Sequence, residues 1–378
     1  MRSVRIDRSK RLSSEPETGH NRWHPDIPPI LEVDPGEDVL LETRDASDGQ
    51  VETDTVSEQL AFLDTRLIHP LTGPVSVKGA RPGDLLEVEY LEIQPARDGW
   101  TYIRPGAGFL TDLFPDPYLV NWRMEDAWAI SPQLPGVRIP RACFMGTAGV
   151  APSAAQVEAW TLREKRVLDG GGSAILPNSM GAVPNIEPIA STGLRTIPPR
   201  ENCGNLDAKQ LTAGSKLLIP VNVEGALFSV GDAHFAQGDG ECCVTAIEMG
   251  AAVVLRFSIY AQSAARQRMR YPRFSHPNFF APPEFASPRD FVATVGLPIQ
   301  EDGGNVAGDV TLAARNALIE MIALLQAHGW SQQQAYVICS VAVDLRITNC
   351  VNLPNVAVSA LLPRGIFDRA IHGWVDDR

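Results

Sequence analysis

The sequence predicts a mostly β protein of the α+β class, a sandwich or barrel rather than a doubly wound sheet. Three observations lead there. Glycine and proline, 31 and 30 of the 378 residues, divide the chain into short apolar runs. Several of those runs are strand-like, with one face set for a core and the other for water. Few stretches carry sustained helical periodicity. A chain of this length exceeds what one core commonly supports, so two domains are expected, with a boundary near residue 165.

Taken in order, "DLLEVEYLEIQ" (84–94) alternates as a half-exposed strand, and the preceding "RPGD" is a turn. "APSAAQVEAWTLREKRVL" (151–168) reads as a surface helix with Pro152 in its first turn. The glycine-rich 169–179 segment is a long loop. Strand pairs are expected over 216–230 and 243–259, broken at Glu224-Gly225 and Met249-Gly250. The proline-rich 271–288 segment reads as a loop or cover. "DVTLAARNALIEMIALLQAHGW" (309–330) is the clearest helix, with Asp309 as N-cap and Gly329 as stop. "AYVICSVAVDLRI" (335–347) reads as a return to strand.

A formal charge of −12 and a pI near 5.1 argue against nucleic acid or an anionic membrane as partner. They favour a small neutral or cationic ligand. The basic N-terminus lacks the apolar core of a signal peptide. No apolar run approaches the ~18 residues of a membrane span, and the 317–327 stretch, which carries Glu320, reads as a core helix. Six cysteines in a long chain read as reduced thiols in the cytoplasm.

The chemistry concentrates in "FSVGDAHFAQGDGE" (228–241). If the strand extends through His234, Asp232 and His234 share one face and suit a divalent ion such as zinc. They equally suit a histidine held by a neighbouring carboxylate. "GDGE" reads as a tight turn with Gly240 at positive φ, or as a turn presenting Glu241 as general base. Upstream, Asp207 is either a third ligand or a plain N-cap, with Asn205 or Lys209 available to support an oxyanion. Cys203, near Glu201 and Lys209, is a competing nucleophile. His24 and His69, each followed by proline, read as loop histidines.

The segments "NRWHPDIPP", "HPLTGPVSVKGARPGDLLEVEYLEIQP", "GVAPS", "RTIPPRENCGNLDAKQLTAGSKLLIPVNVEGALFSVGDAHFAQGDGE" and "TAIEM" together resemble the acetamidase/formamidase family, its formamidase branch in particular. "YVICSVAVDLRITNCVNLPNVAV" is similar to the family as well. The sequence departs from the family pattern at Cys203, where glycine is expected, and in "FMGTAGVAPS", which lacks an expected Pro-Gly. The resemblance implies hydrolysis of a short aliphatic amide, formamide first, to a carboxylate and ammonia. It also implies a β-sandwich-like part over 1–165, a catalytic mixed β/α part over 166–378, and a homo-oligomer. Carried over by residue, it nominates Asp207, Asp232 and His234 as ligands of a divalent metal, zinc foremost, and Glu241 as acid/base. A thiol-dependent amidase using Cys203 and a non-catalytic metal-stabilised β module are the alternatives. Whether Asp344 reaches the site is open.

Overall fold

The computed structural model describes residues 1–278 and 290–368; the 279–288 part of the proline-rich segment lies outside them. The expected mostly β, α+β architecture is what forms. Among the described residues fifteen strands join one large branched sheet, Arg22–Trp23 pairs with Leu194–Arg195, and three more strands form a further sheet, Phe291–Gly296, Ala357–Pro363 and Asp344–Asn349.

The branching follows from two long strands that change partners along their length. The Leu85–Ile103 strand pairs at residues 85–89 with Lys216–Pro220 and at residues 98–103 with Tyr118–Met124. Along its other edge it pairs with Glu248–Tyr260. That strand does not break at Gly250 as its glycine suggested. A register shift between Met249 and Ala251 absorbs the irregularity as a bulge, and the strand runs on. Its residues 251–256 then pair with Asp38–Thr43. The 216–230 segment does divide near Gly225, but its halves are not partners. Lys216–Pro220 stays on the long strand, whereas Phe228–His234 inserts between Phe144–Val150 and Leu71–Val77.

Both edges of Phe228–His234 are thereby paired, and all seven of its residues are buried, on both faces of the sheet. Phe144–Val150 is likewise wholly buried. A strand covered on both sides has no solvent face for charged groups. Asp232 and His234 are therefore ordered by what surrounds them, not by water.

Helix Ala154–Asp169 starts one step later than its sequence suggested: Ser153 caps it with Gln156 in a reciprocal box, and Pro152 lies outside. Helix Val310–Ala327 has Asp309 accepting from Leu312 N, and Gly329 follows at φ +96°. By length and hydropathy it qualifies for a membrane span, contrary to the reading above. Here its apolar face, including Leu318, Met321 and Leu325, is buried, and the helix packs on the three-stranded sheet.

One expectation fails outright. Residues 332–342 form a helix, Gln332–Ala342, and strand begins only at Asp344. Ser331 with Gln334 makes a capping box that outweighs the β-branched run, and the helix interior is almost fully buried, which erases the amphipathic period. This helix carries the loop after His234. Gly238 N donates to Ser340 O at 2.8 Å. Cys243 N donates to Ser340 Oγ at 3.1 Å, and that hydroxyl donates to Thr245 O at 2.7 Å. Tyr336 donates to Cys242 O and accepts from Leu110 N. A Cβ on Gly238 would lie 2.2 Å from Val343 O, so only glycine lets loop and helix meet there.

Replacing Ser340 with alanine orphans the Cys243 amide and the Thr245 carbonyl in a buried setting. S340A is expected to lower unfolding free energy by about 1–3 kcal/mol, read as a shift in the urea midpoint. A shift no larger than that of an exposed Ser→Ala control would mean that this hydroxyl does not hold the loop.

Candidate active site

Four segments converge under the large sheet. Phe228–His234 brings Asp232 and His234; the turn after Cys203–Asn205 brings Asp207; the 238–241 turn brings Glu241; the start of Glu248–Tyr260 brings Glu248. Ligand atoms of Asp207, His234 and Glu241 lie within 4.8 Å of one another, as do those of Asp232, His234 and Glu248. The imidazole is the hinge of both sets. His234 Nε2 lies 3.3 Å from Asp232 Oδ1, 3.1 Å from Glu248 Oε2 and 4.0 Å from Glu241 Oε1.

Gln237 sets the ring's orientation. His234 Nδ1 donates to Gln237 Oε1 at 3.1 Å, while Gln237 Nε2 donates to Asp207 O at 2.8 Å. With Nδ1 committed to that acceptor, Nε2 is the nitrogen that faces the carboxylates. Phe144 stands edge-on to the ring, 4.9 Å between centroids. Thr147 Oγ1 lies 3.1 Å from Asp232 Oδ2 and 2.5 Å from Asn205 Oδ1, which ties two of the converging segments together.

Gly146 is the floor. A Cβ there would fall 2.5 Å from Asp207 Oδ1, 2.8 Å from His234 Cε1 and 2.9 Å from Asp232 Oδ2. No side chain fits, because three chemical groups already press against the backbone. Gly146 O also accepts from the amides of Leu206 and Asp207, at 3.1 and 3.2 Å. Asp207 is therefore not a helix N-cap; it sits at φ +49°, beyond a short strand, and no helix follows.

Four buried carboxyls cannot all ionise side by side. Burial pushes Asp207 up to about 6, with Asp232 adding to it. Burial pushes Glu248 up to about 7, against the pull of His234. Burial and then Asp207 raise Glu241 well above its usual range. For Asp232 burial is outweighed by His69 and His234, which hold it below the ordinary carboxylate range. Burial works to lower His234, but Glu248 and Asp232 override it and raise the imidazole well above its usual value. Asp207 Oδ1 is buried without a hydrogen-bond partner, and Glu248 Oε2 has no contact closer to hydrogen-bond geometry than the 3.1 Å approach of His234 Nε2. An oxygen-rich set with one imidazole nitrogen, an orphaned carboxylate oxygen and excess negative charge fits a divalent cation.

A cavity of 390 Å³ adjoins the cluster, bordered by Asn205, Asp207, Asp232, Glu241 and Glu248. His69, Trp100, Tyr102, Arg104 and Arg195 complete much of its wall. His69 is thus a cavity residue as well as a loop histidine, with Nε2 3.9 Å from Asp232 Oδ2. His24 does not border the cavity.

Two nominated residues are placed elsewhere. Lys209 pairs with Asp344 and lies 3.9 Å from Asp239, lining a separate small cavity with Ala236 and Gln237. The same pairing holds Asp344 there, away from the carboxylate cluster. Lys209 therefore does not border the cavity in which an oxyanion would form, although Asn205 does. Cys203 is fully buried outside that cavity, and burial pushes its thiol far above the usual range, opposite to what a nucleophile needs.

Sequence reasoning missed Glu248 and Gln237. Glu248 stands in the quoted "TAIEM" segment but was given no role. Gln237 lies three residues after His234, a spacing that a tight turn can close.

Residues 5–369 match the model of the Acetamidase/Formamidase family. An acetamidase of Mycolicibacterium smegmatis is 34% identical over 88% of this chain and 87% of its own length. A formamidase of Methylophilus methylotrophus is 32% identical over 97% of this chain and 93% of its own. Among solved structures, a gamma lactamase from Delftia acidovorans superposes with a TM-score of 0.92 at 34% identity, covering 98% of this chain and 94% of that one. The chain belongs to the acetamidase/formamidase family, and it is an amide-hydrolysing enzyme.

Proposed function

We propose that the protein is a metal-assisted amidase that cleaves short primary amides, formamide or acetamide, to a carboxylate and ammonia. The observation that carries this reading is the cluster of four carboxyls around His234, with Asp207 Oδ1 buried and unpartnered. Asp207, Asp232 and His234 would hold the cation, with Glu248 as a further oxygen donor. A divalent ion held there, zinc foremost, would supply Lewis acidity and would bring the pKa of bound water down to ~7.

The chain's own residues do the rest. The Glu241 side chain is more exposed than those of Asp232 and Glu248, 17% against 3% for each, and it borders the cavity. It takes the proton from the attacking water and returns it to the leaving nitrogen as the C–N bond breaks. Asn205, whose Oδ1 is engaged by Thr147, turns its amide donors to the oxyanion. Gln237 keeps His234 in one orientation throughout.

A second reading, a cyclic amide opened to an amino acid without release of ammonia, is favoured by the 390 Å³ cavity, which is far roomier than formamide requires. The solved relative named a gamma lactamase points the same way. Assembly as a homo-oligomer is part of the proposal and is read by light scattering.

Ammonia release from formamide should vanish after chelation and return on adding zinc. Activity untouched by a chelator that has removed all bound metal would sink the metal-assisted reading. E241Q should lower kcat by about 10²–10⁴-fold while metal content stays near that of the parent; a variant retaining full kcat would remove Glu241 from the proton path. G146A places a methyl group among Asp207, Asp232 and His234, so metal binding and turnover should both collapse. A G146A protein that still titrates with one equivalent of metal at parental affinity would mean these three do not form the site.

A further inference from the structure

The cavity beside the carboxylate cluster has basic lining residues that the amide cleavage proposed above does not use. Arg104 and Arg195 both contribute to its wall. Arg195 is committed: its guanidinium donates to Thr65 O at 2.6 Å and Ile68 O at 3.2 Å, which anchors the segment bearing His69. Arg104 is not. Half-buried, it makes no side-chain hydrogen bond or ion pair with any other described residue. Neither arginine is ion-paired to one of the four site carboxyls among the described residues.

The same wall carries apolar and aromatic side chains. Trp100 and Tyr102 stack with centroids 4.9 Å apart, and Ile68, Ile175 and Val244 also border the space. A cavity of 390 Å³ lies within the ~300–1,000 Å³ of sites that enclose whole ligands of many heavy atoms. Formamide would leave most of it, and the guanidinium, unused.

We propose that the amide turned over here carries a carboxylate, separated from its scissile C–N bond by a short apolar body, and that Arg104 receives that carboxylate. The inference rests on the amidase reading and narrows its substrate class. A guanidinium presents a planar fork of donors that matches a carboxylate bidentately, and a partly desolvated cation without a partner gains from meeting one. With its acid on Arg104, a bound substrate has its amide left for the cluster. Hydrolysis adds one water across the C–N bond, giving a dicarboxylate and ammonium.

The test uses the full-length, zinc-loaded protein and two matched amides, 5-amino-5-oxopentanoate and its methyl ester, with formamide and propionamide alongside. The acid is expected to exceed the ester in kcat/KM by about ten-fold or more, as one charge-assisted contact allows. R104L should bring that ratio close to one through a higher KM for the acid, and R104K should restore part of it. A ratio at or below one in the parent, or a ratio that R104L leaves intact, overturns the proposal. If formamide or propionamide still releases ammonia in that case, only the substrate class falls. No ammonia from any of the four amides removes the amidase reading and this inference together.

Discussion

Everything distinctive in this structure is arranged around one electrostatic problem: four carboxyl groups, two of them fully buried, share a single imidazole. Isolated, each buried carboxylate would be driven to its neutral form. Together they need positive charge, from a protonated His234, from shared protons or from a divalent cation. The surrounding fold can be read as the apparatus that prevents the cluster from dispersing. Gly146 permits contact distances that any Cβ would forbid, Gln237 joins histidine to Asp207, and Thr147 joins Asp232 to Asn205. The helix Gln332–Ala342 anchors the loop that delivers Glu241 from behind.

How much of this the sequence made legible depended on whether the signal was local. Asp232 and His234 were readable because a strand places residues two apart on one face. The mostly β class followed from glycine and proline spacing, and the 310–327 helix from its cap and stop. What failed was governed by burial or distance. Residues 332–342 look like a strand because a fully buried helix shows no polar face, and its Ser331–Gln334 box is a two-residue signal easily outvoted. Lys209 sits two residues from Asp207, yet its ammonium turns to Asp344, 135 positions away. Nothing local in sequence announces that partner. Cys203 had the right neighbours in the chain and the wrong environment in space. Glu248 was hidden by its ordinary setting, a lone acid at the head of an apolar strand.

The backbone records the same constraint as the side chains. Asp207, Asp232 and Glu241 all lie at positive φ, +49°, +56° and +42°. Left-handed backbone is uncommon for residues with a Cβ and costs free energy, somewhat less for aspartate than for glutamate. Three of the four site carboxyls adopting it is not what folding a sheet requires. At Asp232 it interrupts the ladder with Phe144–Val150, which pairs Gly231 and Ala233 but skips the residue between them. The strain persists because Gly146, Gln237 and the Ser340 contacts over-determine the positions around it. A glycine at any of the three would relax the backbone and stabilise the fold locally while deleting the chemistry. That these positions keep acids in a conformation glycine would occupy more easily is itself the structural argument that the cluster is built for a reaction and not for stability.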